Sequence, residues 1–251
     1  MKYVEPSIKA MLLAAALWLG GCTTTPPGPE LVTNADVRPE LASTLEYVPV
    51  QARDDDGVTI PYIARENPYT SQRGKVRKES VLSFIAARRA YKDGDYPQAS
   101  SLLTELIKQD DSLSGPWVML GDIAMHAGNY QQAIDHYLTA LEINEHNVNA
   151  YLRLAKSQRL LGNFLHAQNT YAKALSLWPD FPEAHLNLAV LYDIYLNHPL
   201  RAQKHMEAYQ FLTASKSAQV AEWLAEIQQR TGIAPAFSNE QTALTLNDKA
   251  L

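Results

Sequence analysis

The sequence predicts an all-α array of about four stacked helix-turn-helix units, closed by one further helix and preceded by a proline-rich leader. Three observations carry this expectation. "DGDY", "AGNY" and "LGNF" place Gly94, Gly128 and Gly162 at a constant interval of 34 residues. Around those glycines, apolar and small residues return at helical spacing rather than in the alternation of strands. From Thr23 to Gly74, by contrast, prolines recur (Pro26, Pro27, Pro29, Pro39, Pro49, Pro61, Pro68) and no helical period lasts two turns. Proline removes a backbone donor and turns the preceding residue away from helix, so this stretch is expected to be extended or irregular.

The repeating units align residue by residue. The second has Trp117, Leu120, Gly121, Ala133, Tyr137 and Ala140; the third has Tyr151, Leu154, Ala155, Ala167, Tyr171, Ala174 and Pro179 at matching offsets. A degenerate unit precedes them (Ala86, Ala87, Gly94, Tyr96, Ala99, Leu103, Leu106). A fourth follows with His185, Leu188, Ala189 and Tyr192, but its Ala202, Met206 and Tyr209 fall one residue late. The turn "LNHPL", residues 196–200, has gained a residue and lost its glycine, so a changed helix angle is expected there. Small residues let two helices approach, and the large aromatics fill the space between neighbouring pairs. No pair can bury its apolar face alone, so stacking is required and the last pair needs a cover.

The pattern of these residues resembles the tetratricopeptide repeat (TPR), whose 34-residue helix-turn-helix unit carries W-x2-L-G-x2-Y, then A-x3-F, then a proline. The resemblance implies a right-handed solenoid. Its repeats are assigned to 80–113, 114–147, 148–181 and 182–216, the last with a one-residue insertion. Residues 217–231 supply the cover: Val220, Trp223, Leu224 and Ile227 form a helical stripe, Glu222 and Arg230 lie off it, and Gly232 suits a C-terminal cap. Residues 232–251 have weak periodicity and are expected to be a mobile tail.

Ahead of the repeats, residues 22–75 read as a tether. Within it "EYVPVQA" and "VTIPYI" alternate around "RDDDG", which allows a β-hairpin over 46–63. Asp54, Asp55 and Asp56 are adjacent rather than at the alternate positions of calcium loops, so a solvated turn is expected there.

Residues 1–21 have the build of a signal peptide. A leader with Lys2 and Lys9 precedes the uncharged run Ala10–Leu19, whose ten residues fall short of the ~20 that span a bilayer. The run ends in Leu19-Gly20-Gly21-Cys22, and Cys22 is the sole cysteine of the chain. This resembles the lipobox of bacterial lipoproteins, which implies cleavage before Cys22 and acylation (palmitate) of its thiol and amino group. Several acyl chains at ~0.8 kcal/mol per buried methylene would hold the chain on a membrane essentially permanently. In such lipoproteins an aspartate after the cysteine favours the inner membrane. Thr23 therefore implies a lipid anchor in the outer membrane, facing the periplasm.

Composition narrows the function. A formal charge of -5 argues against nucleic acid as a partner. No Gly-rich phosphate loop, H-E-x-x-H or G-x-S-x-G motif occurs, so no enzyme and no cofactor is expected. His126, His136 and His146 recur every ten residues but fall on a helix end, a helix and a connection, and His198 and His205 are two helical turns apart; no metal is expected. Glu142, Glu145, Asp180 and Glu183 sit near helix ends, where acids serve caps and dipoles rather than a paired-carboxylate hydrolase.

The resemblance instead implies a concave groove lined by the first helix of each repeat. Mapping the family's groove positions gives Phe84, Arg88 and Tyr91, then Val118, Asp122 and Met125. The third repeat adds Leu152, Lys156 and Arg159, and the fourth Leu186, Val190 and Asp193. Apolar anchors with Arg88, Lys156 and Arg159 beside them suit an extended peptide or partner helix carrying acidic groups. The chaperone-tail clamp of some tetratricopeptide proteins is not implied, because Phe84 and Arg88 stand where that pattern has lysine and asparagine. The expectation is a non-catalytic protein-interaction scaffold assisting assembly of an envelope complex, such as a pilus, secretion or energy-transducing system. The alternative is a cell-wall factor binding glycan or a wall enzyme.

Overall fold

The computed structural model describes residues 40–72, 74, 76–214 and 217–237. Residues 1–21, expected to be a signal peptide, together with Cys22, Thr23 and residues 238–251, lie outside the described residues.

Nine α-helices follow one another in the described chain: α1 (Lys78–Lys92), α2 (Tyr96–Gln109), α3 (Ser114–His126), α4 (Tyr130–Ile143), α5 (Val148–Leu160), α6 (Phe164–Leu177), α7 (Pro182–Val190), α8 (Pro199–Thr213) and α9 (Ala218–Thr231). They pack as the hairpins α1/α2, α3/α4, α5/α6 and α7/α8, with α9 on α8. The first helices touch in succession, α1 to α3, α3 to α5 and α5 to α7, and so form the inner face of the array.

The hairpin turns repeat because their chemistry repeats. Gly94, Gly128 and Gly162 have φ of 80°, 76° and 80°, the left-handed region that favours glycine. Each turn is followed by Asp95, Asn129 or Asn163 at a helix start, and the Asp95 carboxylate accepts from Gln98 N at 3.0 Å. Helices α3 and α4 meet at Gly121: a Cβ built there would stand 2.3 Å from Cε1 of Tyr137, so the ring lies directly on the glycine backbone. Tyr137 and Tyr171 are completely buried, each filling the space between successive hairpins.

The fourth hairpin handles its extra residue inside the helix. Helix α7 runs into a π-helical turn, Leu191–Tyr195, closed by Leu196 N donating to Leu191 O at 3.0 Å. A π turn takes up one added residue without ending the helix. Asn197, with φ 52°, then occupies the left-handed position that glycine holds in the other three turns.

The proline-rich segment, read from the sequence as a tether, is packed on the repeats where it is described. Its described part, residues 40–72, is a strap laid on the helices. Ala42 and Thr44 bond to α6 and α8 side chains, Tyr62 and Arg65 to Asp180, and Gln72 to Asn144. Asp180 is only 2% exposed; it accepts Tyr62 OH at 2.6 Å and Arg65 N at 2.7 Å. Trp178 Nε1 donates to Arg65 O at 2.7 Å. The hairpin expected over 46–63 contracts to one bridge, Arg53 to Thr59, around a turn at Asp54–Gly57. Asp54 Oδ1 accepts the amides of Asp56 and Val58, so its lone pairs serve the turn.

The chain after α9 also begins with packed residues where a mobile tail is expected. Gln203 Nε2 donates to Ile233 O, Ala236 N to Glu207, and the Phe237 ring stacks on Phe211 with centroids 4.3 Å apart. Among the described residues no helix is long and apolar enough to cross a membrane.

Candidate functional site

The inner face carries a cavity of about 360 Å³ where α1, α3 and α5 converge. Phe84, Arg88, Val118, Asp122 and Arg153 line it, with Tyr69 of the strap at its mouth. Phe84 packs beside Gly115, which lies in the first turn of α3 and leaves room for the ring. A second cavity of about 580 Å³ opens along the same edge between the strap and α1, and shares Tyr69, Phe84 and Gly115.

The polar centre of the groove is an ion pair that the sequence pattern did not indicate. Arg153 Nε donates to Asp122 Oδ1 at 2.8 Å and to Oδ2 at 3.1 Å, and Tyr137 OH donates to the same Oδ1 at 2.8 Å. Burial, with the Asp122 charge, holds the Tyr137 proton far more firmly than an ordinary phenol's. Tyr91 is shifted the same way, by burial first and then by Asp122. Asp122 is therefore a buttress that orients Arg153 and Tyr137 rather than a free acceptor for a partner. The 31-residue separation, one repeat less three, is the signal that could have matched Arg153 to Asp122.

The remaining mapped residues divide into three groups. Arg88 and Lys156 are exposed and have no ion pair among the described residues. Met125, Leu152 and Arg159 are half-buried and already engaged. Ser157 OH lies 2.9 Å from Met125 Sδ, and Leu152 packs into the core. The Arg159 guanidinium lies 5.5 Å above the Tyr195 ring and donates to its hydroxyl. Asp193 is turned away from any partner: Trp223 Nε1 donates to it at 2.7 Å, Arg230 pairs with its other oxygen, and its side chain is 8% exposed. The covering helix α9 thus ends the groove, and Arg230, expected off its packing stripe, reaches the solenoid. The free part of the groove spans α1, α3 and α5.

A second cluster is buried in the fourth hairpin, between α7 and α8. His185 Nδ1 and His205 Nδ1 are 2.8 Å apart; His185 Nε2 meets Pro179 O at 2.8 Å and His205 Nε2 meets Thr44 Oγ1 at 2.9 Å. Both imidazoles are fully buried. Burial lowers the pKa of His185 to about 4 and that of His205 well below the ordinary 6.5. Among the described residues no three His, Cys, Asp or Glu side chains converge as metal ligands do.

Residues 112–180 match the tetratricopeptide repeat family. No curated protein matches the chain. Among solved structures the chain is similar to MamA from Desulfovibrio magneticus RS-1, with 16% identity over 63% of this chain and 88% of that one and a TM-score of 0.54. It is also similar to a tetratricopeptide repeat protein from Parabacteroides merdae, with 21% identity over 62% of this chain and 61% of that one and a TM-score of 0.53. At such identities the likeness concerns the fold. The hairpins from Lys78 to Thr213, with α9 packed on the last of them, have the fold of a tetratricopeptide-repeat solenoid.

Proposed function

We propose that the chain is a non-catalytic scaffold, held by an acylated Cys22 at the periplasmic face of the outer membrane. It captures an acidic segment of a partner protein in the groove of α1, α3 and α5 and assists assembly of an envelope complex. The carrying observation is that Arg88 lines the Phe84 cavity and Lys156 stands exposed on α5, neither with a carboxylate partner among the described residues, while Arg153 is already paired with Asp122. A partner carboxylate would supply what the groove lacks, and an apolar side chain would seat on Phe84 and Val118.

The test is crosslinking and pull-down from intact envelopes with the native chain and an Arg88→Ala, Lys156→Ala variant. Because both side chains are exposed, folding stability should change by no more than ~0.5 kcal/mol. Partner recovery should fall about tenfold, equivalent to ~1.4 kcal/mol of binding. Equal recovery by both proteins would refute the groove as the binding face. The anchor is tested separately: Cys22→Ser should abolish labelling by radioactive fatty acid and release the protein from membranes. Undiminished labelling would exclude acylation of Cys22.

A further inference from the structure

The surface formed by α6, the π turn and α8 holds residues 40–44 as a peptide site would hold its ligand, and the strap then makes a 3-10 turn at Leu45–Tyr47. Two side-chain amides read the strap backbone. Gln168 accepts Ala42 N at 3.0 Å through Oε1 and donates to Ala42 O at 2.9 Å through Nε2. Asn169 accepts the same Ala42 N at 2.9 Å and donates to Glu40 O at 2.9 Å. Two residues on, Thr44 enters the core and is 1% exposed. Its hydroxyl sits between Tyr192 OH and His205 Nε2, both at 2.9 Å. Gln168 Nε2 also donates to Tyr192 OH at 2.8 Å, which closes the circuit.

The proton positions in this circuit are fixed by its ends. Pro179 O can only accept, so His185 carries its proton on Nε2 and its Nδ1 is bare. His205 must then donate from Nδ1 and accept at Nε2. Thr44 therefore donates to His205 and accepts from Tyr192, whose oxygen accepts from Gln168. Every group is satisfied with both imidazoles neutral. With a proton at His205 Nε2, the imidazole, Thr44 and Tyr192 would bring three hydrogens to the two links between them. One hydroxyl hydrogen would then have no acceptor, or the Gln168 amide would flip to accept from Tyr192 and lose both bonds to Ala42. Buried unsatisfied donors are costly, so the charged histidine and the seated strap exclude each other.

The geometry points to an acid-released latch: this cleft binds an extended segment of the pattern small residue, any residue, threonine. Residues 40–44 of the same chain are its resident ligand, and protonation of His205 ejects them. The charged and titratable groups around the pair come from every packed element. Asp180, on the α6–α7 loop, favours charge on His185 but is occupied by Tyr62 and Arg65. Arg201, on α8, opposes charge on His205 and lies 5.6 Å above the Tyr192 ring. His198, ahead of α8, meets the edge of Tyr192, and the strap itself contributes only Thr44. Once the strap leaves, His205 Nε2 has lost its Thr44 donor and is free to take up a proton from water. The closed form is thus favoured at higher pH and lost as the pH falls. Residues 62–72 are held by Asp180 and Trp178, outside the circuit, and stay in place.

One proton taken up at His205 on opening shifts the opening equilibrium toward the open form as the pH falls, by at most about tenfold per pH unit. Amide hydrogen exchange of the full chain, corrected for intrinsic rates, should show that loss of protection over residues 42–48. The Arg65 amide and helices α3 to α6 should change less than about threefold. Unchanged protection at residues 42–48, or loss shared equally by α3 to α6, overturns the latch. Thr44→Val, which keeps the shape and deletes the hydroxyl, should open the segment at pH 7, whereas Thr44→Ser should keep it closed at pH 7 and open at pH 5. A Thr44→Val chain as protected as the native one at pH 7 overturns the proposal. Imidazole nitrogen resonances of the native chain add a readout independent of any variant. His205 should gain its second proton in step with strap release, and its titration under a still-protected strap would disprove the coupling.

Discussion

Replacing Tyr171 with alanine is expected to cost ~3–5 kcal/mol of stability, the range for truncating a fully buried aromatic in a packed core. The ring belongs to the largest apolar cluster, which joins Ala155 and Ala167 of the third hairpin to Phe181, Ala184 and Leu188 of the next. Its removal opens a void between two hairpins, lined by alanines on one side and by Phe181 and Leu188 on the other. Urea unfolding followed by far-ultraviolet circular dichroism gives the check. A loss below ~1 kcal/mol would mean that α6 and α7 can close over the gap, and the filler role assigned to the ring would be wrong.

Gly121→Ala is the opposite experiment, a single methyl added where no space exists. The new Cβ would stand 2.3 Å from Cε1 and 2.7 Å from Cδ1 and Cζ of Tyr137. That ring cannot retreat cheaply, because its hydroxyl is tied to Asp122 and Asp122 to Arg153. Overpacking typically costs ~1–3 kcal/mol, and a clash this close belongs at the upper end. The damage should also reach the groove, since displacing Tyr137 releases Asp122. Thermal unfolding of Gly121→Ala beside the same change in a Tyr137→Leu background separates the two effects. The smaller side chain should recover most of the methyl's cost, and no recovery would place the strain elsewhere.

The solenoid was legible because its information is local and repeated. Gly94, Gly128 and Gly162 mark three turns, and the residues between them state which face of each helix is small and which is large. The strap was not legible for the reverse reason: the hydrogen bonds that hold it to the helices join residues more than 70 positions apart, such as Thr44 with Tyr192 and Gln72 with Asn144. Prolines announce that a segment is not helical, but they do not say that it is free. The candidate site was half legible. Phe84, Arg88 and Lys156 stand on the inner helices as the repeat template places them. Asp122 and Asp193 looked available because a template gives a residue's direction and not its neighbours. Arg153 neutralises the one and α9 covers the other. The histidine pair was hidden because His185 and His205 lie 20 residues apart on opposite helices of the hairpin that breaks the pattern.

The π turn at Leu191–Tyr195 bears on how long such an array can grow. A regular repeat presents the same surface at each end, so nothing in it tells the chain when to stop. Here one surplus residue is taken up just where Asp193 must meet Trp223 and Arg230. The surface offered by this hairpin is matched to one particular helix and not to another copy of the motif. A fifth unit spliced in after α8 would have to replace the bonds that Asp193 makes to Trp223 and Arg230 of α9.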